Sequence, residues 1–171
     1  KVLQVGGIKA GQVVADFGCG TLGHYIFPAA RLVGPQGKVY AIDILKSVLG
    51  SIESRIKIEG VGNVVTVWGD LERDHGVDVP DATVDLGLLI NNLFLTKQWA
   101  ALVKECVRMV KPGASLIIVD WKPAGSAFGP DPAARVSPEE VKRIAADAGL
   151  SLAKEFGPGK YHYGFVFRKK G

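Results

Sequence analysis

Along this chain, short runs rich in β-branched and aromatic residues alternate with longer stretches of helical pattern. The first strand is predicted over Val13 to Phe17, and a helix from about Gly23 stops at Gly34-Pro35. A second strand, Lys38 to Ile42, leads into a helix from about Ser47 to Gly60, and a third strand covers Val64 to Trp68. Val84 to Ile90 is almost continuously apolar, as expected of a strand covered on both faces. The next helix runs from Thr96, read as its N-cap, to Met109, with Lys111-Pro112-Gly113 ending it. Strand five is Ser115 to Asp120, followed by a Pro- and Gly-containing loop, Lys122 to Val136. Ser137-Pro138-Glu139-Glu140 reads as a capping box opening a helix that stops at Gly149. The last segments, Ser151 to Phe156 and Tyr161 to Phe167, form the arms of a hairpin around Gly157-Pro158-Gly159-Lys160. No linker divides the 171 residues, so a single α/β domain over 1–171 is expected.

Three acids sit at or just past the ends of the first three strands: Asp16, Asp43 and Asp70, each 27 residues from the next. Singly, each reads as a cap or turn residue. In an open α/β sheet, however, ligands bind outside the carboxyl ends of the strands, and three acids there line one rim. Gly18-Cys19-Gly20-Thr21-Leu22-Gly23 follows strand one and spells the dinucleotide fingerprint G-x-G-x-x-G, with Asp43 20 residues after Gly23. Asp16 separates the candidate ligands. A dinucleotide would bring its pyrophosphate to the glycine turn, where the Asp16 carboxylate repels it. S-adenosylmethionine carries an ammonium and a sulfonium for Asp16, a ribose for Asp43 and an adenine amino group for Asp70.

These segments resemble a known family. Val14-Ala15-Asp16-Phe17-Gly18-Cys19-Gly20 looks like the first motif of the class I S-adenosylmethionine-dependent methyltransferases. Val39-Tyr40-Ala41-Ile42-Asp43 is similar to the second, and Trp68-Gly69-Asp70-Leu71 to the adenine motif. Val110-Lys111-Pro112-Gly113 leading into Leu116-Ile117-Ile118-Val119 resembles the small-molecule branch that includes the ubiquinone/menaquinone-biosynthesis enzymes. The resemblance implies a Rossmann-like three-layer sandwich with a seven-stranded sheet of order 3-2-1-4-5-7-6, strand seven alone antiparallel. It implies that Asp16, Gly18, Cys19 and Gly20 surround the methionine part of the donor and that Asp43 holds the ribose. Ile44 would lie against the adenine, Asp70 would accept from its amino group beside Gly69, and the Leu71 backbone would meet the ring. Asn91 would lie near the methionyl group. Two departures stand out: Leu22 occupies the usual third glycine position, and only about a dozen residues precede strand one, where the family has covering helices.

The acceptor is less marked. His24, Tyr25, Asn92, Asp120 and Trp121 are the candidate pocket residues, and no general base stands out among them. The place of the Asn/Asp-Pro-Pro-Tyr motif of base- and glutamine-methylating relatives reads Ile90-Asn91-Asn92-Leu93-Phe94. With two cysteines, Cys19 and Cys106, arsenic methylation, metal binding and a disulfide scaffold are all disfavoured. The loop after strand five is expected to be an active-site lid over a rather open site.

Composition changes this little. The net charge of +4 is compatible with an anionic partner, but scattered basic residues make nucleic acid a weak candidate. No apolar run reaches the length of a membrane span, and a cytoplasmic protein of undetermined oligomeric state is the simplest expectation. The chain opens on Lys1 rather than Met, so truncation and a targeting segment both stay open. A small-molecule methyltransferase is the first reading. A nicotinamide-dependent oxidoreductase, and a non-catalytic module binding the donor or RNA, are the alternatives.

Overall fold

The computed structural model describes residues 1–124 and 127–171. Gly125 and Ser126, within the loop expected over Lys122 to Val136, lie outside the described residues. Seven strands form one sheet: β1 (Val13–Phe17), β2 (Lys38–Asp43), β3 (Val64–Trp68), β4 (Val84–Ile90), β5 (Val110–Trp121), β6 (Leu150–Gly159) and β7 (His162–Lys169). Their order is β3-β2-β1-β4-β5-β7-β6, and β7 runs antiparallel to both its neighbours while β1 to β5 pair in parallel. The α/β architecture and strand order are those expected from the sequence.

Helices cover both faces: α1 (Val2–Val5), α2 (Ile26–Val33) and α3 (Lys46–Glu59) on one, α4 (Trp99–Met109) and α5 (Pro138–Asp147) on the other. Two-sided cover explains the continuous apolar strands, because alternate residues enter different cores. On β4, Leu86 and Leu88 pack against Ile26, Phe27 and Val33, whereas Leu89 joins Leu102, Val103 and Cys106. Gly87 is needed between them: a Cβ there would stand 2.8 Å from both Leu116 and Phe17.

Several stops behave as the sequence predicts. Gly60 closes α3 in the left-handed conformation (φ 65°), its N–H donating to the Ile56 carbonyl. Ser137 caps α5 by accepting from the Glu140 N–H at 3.1 Å, but Glu140 turns its carboxylate to Arg143 instead of completing a capping box.

Other boundaries move for identifiable reasons. The helix expected from Gly23 starts at Ile26, because Gly23 has φ 52° and belongs to the preceding turn. Thr96 does not cap α4. A 3-10 turn over Leu93–Leu95 comes first, and the Thr96 hydroxyl accepts from Gln98 N–H just ahead of the helix. Lys111-Pro112-Gly113 is a bulge inside β5: Val110 pairs with Val84 and Ser115 with Leu86, so two steps of β4 face five of β5. The hairpin turn also lies later, because β6 continues through Gly157-Pro158 to Gly159; an edge strand tolerates a proline. No helix among the described residues is long and apolar enough to cross a membrane.

Candidate functional site

The chain reverses its direction of winding between β1 and β4, which places a crevice beyond the carboxyl ends of these central strands. A cavity of about 600 Å³ occupies it. Its wall comes from the glycine turn after β1, the ends of β2, β3 and β4, and Leu102 of α4.

Gly18 and Gly20 have φ of 72° and 66°, a region where side chains are strained, and the Gly18 and Cys19 amides donate to the Ile42 carbonyl at 2.9 and 3.0 Å. The turn is fastened from beneath by Asn92, whose carboxamide nitrogen donates to the Phe17 carbonyl at 3.0 Å and the Ile90 carbonyl at 2.9 Å. A Cβ on Gly18 would overlap that carboxamide. From α3, Arg55 donates to the Leu22 carbonyl at 2.6 Å and lies over the Phe27 ring, holding the turn where the resemblance would place a third glycine.

The three acids converge on this cavity, in three different states. Asp16 is buried, and its Oδ2 has no hydrogen-bond partner. Burial, reinforced by the nearby Asp43 charge, pushes its carboxyl up to about 7. Asp43 accepts from Gly20 N–H at 3.2 Å through one oxygen and from Leu45 N–H at 3.0 Å through the other, so it ties β2 to the glycine turn. Asp70 accepts from Glu72 N–H at 2.9 Å and pairs with Arg73 at 3.2 Å. Gly69 precedes it in a tight place, since a Cβ would stand 2.7 Å from the Gly76 carbonyl. At the end of β4, Asn91 adopts φ 57°, and its buried Oδ1 has no partner. Asp16 and Asn91 thus bring two unsatisfied buried acceptors to one cavity, a costly arrangement that a cationic or hydrogen-bond-donating ligand relieves.

Of the remaining candidates, His24, Tyr25, Ile44, Leu71, Cys19 and Asn92 line the cavity. His24 is exposed, and burial together with Asp16 raises the half-buried Tyr25 phenol, keeping it protonated. The Cys19 thiol is raised by burial and by Asp16 and Asp43, so it is no nucleophile at neutral pH. Val48, Leu71, Leu95 and Leu102 add apolar side chains to the lining, Leu95 being 70% exposed.

Asp120 and Trp121 stand outside the cavity wall. Asp120 is fully buried and accepts from Leu93 N–H at 2.9 Å and Trp121 N–H at 2.8 Å, clamping the β4 exit loop to β5. Desolvation raises its carboxyl to about 6 against the opposing effect of these amides. The loop after β5 lines no part of the cavity in its described residues; Arg135 binds the carbonyls of Lys122, Phe128 and Pro130 and Gly129 packs on the Trp121 ring. In its described residues this segment therefore folds onto β5 and not over the site as a lid.

Sequence reasoning missed a buried carboxylate, Glu105 on α4, and its partly buried partner Arg108. Its signal was a charged i,i+3 pair within the otherwise apolar Leu102-Val103 and Cys106-Val107 stripe.

Comparison with known proteins agrees with this geometry. Residues 14–113 match a methyltransferase domain family. Over 120 residues the chain is 31% identical to a ubiquinone/menaquinone biosynthesis C-methyltransferase of Pseudomonas putida, covering 70% of this chain and 45% of that protein. It is 28% identical over 113 residues to a demethylmenaquinone methyltransferase of a Geobacillus species, covering 66% and 47%. The chain thus spans about half the length of these curated relatives. The crystal structure of an S-adenosylmethionine-dependent methyltransferase from Aquifex aeolicus superposes with a TM-score of 0.88 at 31% identity, covering 97% of this chain and 86% of that one.

Proposed function

This chain belongs to the class I S-adenosylmethionine-dependent methyltransferases, and from that premise we propose that it methylates a small-molecule acceptor with S-adenosylmethionine as donor. The single observation that carries the reading is the buried, unpartnered Asp16 carboxylate oxygen beside the glycine turn. No ordinary fold requirement leaves such a group unsatisfied, and a ligand ammonium would compensate it. The donor, when bound, supplies a methyl group made electrophilic by its sulfonium.

The residues of the chain divide the remaining work. Asp16 and the Asn91 carboxamide oxygen would hold the methionyl end, while Gly18, Cys19 and Gly20 bring bare backbone close to it. Asp43 keeps lone pairs free after its two amide bonds and would accept from the ribose hydroxyls. Asp70 would accept from the adenine amino group, with Gly69 and Leu71 beside the ring and Ile44 covering its face. Tyr25, protonated and half-buried, would donate to the acceptor or the methionyl carboxylate, and His24 and Asn92 belong to the same cavity lining. Their contribution is orientation, which is enough when the acceptor atom is already nucleophilic.

The apolar side chains in the cavity lining, Leu95 and Leu102 among them, support an acceptor with an apolar body. The names of the Pseudomonas and Geobacillus relatives support one of quinone type. Nucleic acid is a weaker candidate, and a cytoplasmic setting rests on the cysteine count. A titration of the chain with S-adenosylhomocysteine and with NAD tests the reading. Binding of the first alone is expected; tight NAD binding with none of the sulfur ligand refutes it, and a screen of quinone precursors with labelled donor then tests the acceptor.

A further inference from the structure

Beneath the Asp70 loop lies a clamp that touches no part of the cavity. Glu105 on α4 is 2% exposed, yet it carries a carboxylate into the apolar layer between helix and sheet. Its Oε2 accepts from His75 N–H at 3.1 Å and its Oε1 from Val77 N–H at 3.2 Å. Arg108, one turn later, returns a two-pronged contact to the same carboxylate at 2.9 and 2.7 Å. The guanidinium also donates to the carbonyls of Val77 (2.9 Å) and Val79 (2.8 Å) and to Asp81 (2.7 Å).

A carboxylate buried against a partly buried arginine seldom adds net stability over apolar residues of the same volume, so its place here calls for another reason. Backbone geometry supplies one. The stretch fixed by Glu105 is His75 to Val77, and it is tied directly to the cavity wall. Asp70 N–H donates to the Gly76 carbonyl at 3.0 Å, Gly69 bridges to Val77, and a Cβ on Gly76 would collide with the Asp70 carbonyl. His75 is held at φ 52°, a strained conformation for a residue with a side chain, which persists only where its surroundings over-determine it. The clamp therefore acts on the loop that presents Gly69, Asp70, Leu71 and Glu72 to the cavity.

We propose that Glu105, braced by Arg108, is a positioning residue that sets the Asp70 carboxylate for the base of the donor and so fixes the base specificity of the site. This inference rests on the reading that Asp70 accepts from the adenine amino group. It predicts discrimination, not merely affinity. An adenine offers an amino group to Asp70, whereas hypoxanthine presents a carbonyl there, and a misplaced carboxylate loses the difference between them.

The experiment compares S-adenosylhomocysteine with S-inosylhomocysteine by calorimetry on the intact chain. Wild type is expected to prefer the adenosyl ligand about tenfold or more, the loss of one hydrogen bond to a charged group. Asp70→Asn should lose that preference. Glu105→Gln, and Arg108→Lys as a milder second variant, should reduce it to about threefold or less while the inosyl ligand binds much as before. A purely structural role would lower the melting temperature and weaken both ligands alike, leaving the ratio intact. Where Glu105→Gln does not fold, Arg108→Lys decides. A full wild-type ratio in the folded variants overturns this inference alone. A wild type indifferent to the base removes the Asp70 reading and this inference with it.

Discussion

Donor binding should be linked to a proton on Asp16. Without ligand, its carboxyl is pushed up to about 7 by burial and by Asp43, so it is half protonated at neutral pH. A ligand ammonium placed against it favours the charged form, and binding then requires that the proton leave. With a free carboxyl near 7, the apparent Kd carries a factor 1 + 10^(7 − pH). That factor is about 1 at pH 8, about 11 at pH 6 and about 30 at pH 5.5. The whole change from pH 8 to 5.5 is worth roughly 2 kcal/mol. Isothermal titration of S-adenosylhomocysteine across this range reads it directly. At pH 6, runs in two buffers of different ionisation enthalpy should show release of about 0.9 proton per ligand bound. Asp120, raised to about 6, titrates in the same window, but its oxygens face Leu93 and Trp121 amides outside the cavity. Asp16→Asn keeps Asp120 and removes only the proposed proton, so it should flatten the profile. A flat wild-type profile in folded protein, without buffer dependence, refutes the reasoning; a slope that survives in Asp16→Asn puts the proton on another group.

Other outcomes follow from the same geometry. Because the folded-state carboxyl of Asp16 lies above its ordinary 3.8, its contribution to stability is full below about 3.8 and is lost as pH rises to about 7. Ligand-free Asp16→Asn should therefore melt several degrees above wild type at pH 8, with the gap closing toward pH 4; a lower melting point at pH 8 would contradict the assigned burial cost. Gly18→Ala meets both a positive φ and the Asn92 carboxamide, and should cost about 1–3 kcal/mol in urea unfolding and abolish donor binding. Wild-type stability in that variant would mean the turn is not so constrained. Arg135→Met releases its hold on Phe128 and Pro130, and should speed proteolysis of the segment after β5 while donor affinity stays within about twofold. A large loss of affinity would return that segment to the site.

What was legible in the sequence was local or periodic. Strand–helix alternation and stops such as Gly60 and Ser137 depend on a few neighbouring residues, and they emerge where expected. The acids Asp16, Asp43 and Asp70 could be read onto one rim because parallel strands end on one side. What escaped depended on distant partners. Lys111-Pro112-Gly113 spells a turn, and only pairing with β4 makes it a bulge. The position of Asp120 at a strand end suggests a rim residue; the Leu93 and Trp121 amides turn it inward. The length of the loop after β5 suggests a lid, and Arg135 and Trp121 draw its described residues elsewhere. Asn92 was read as a pocket residue, whereas its bonds to Phe17 and Ile90 also make it the support of the glycine turn.

That support has a consequence for how the protein comes into being. Asn92 reaches the Phe17 and Gly18 carbonyls across 75 and 74 residues of chain. A growing polypeptide made as far as Asp70, just past the third strand, already holds every glycine of the turn and all three acids. It lacks the carboxamide beneath them and the β4 wall beside them. Because such distant contacts must wait for the loop between them to close, completing the cavity requires the pairing of β1 and β4. The glycine turn can meet β2 through Ile42 and Asp43 earlier, but without Asn92 and β4 that partial site has neither floor nor far wall. Capture of the ligand would then report that the centre of the sheet is complete.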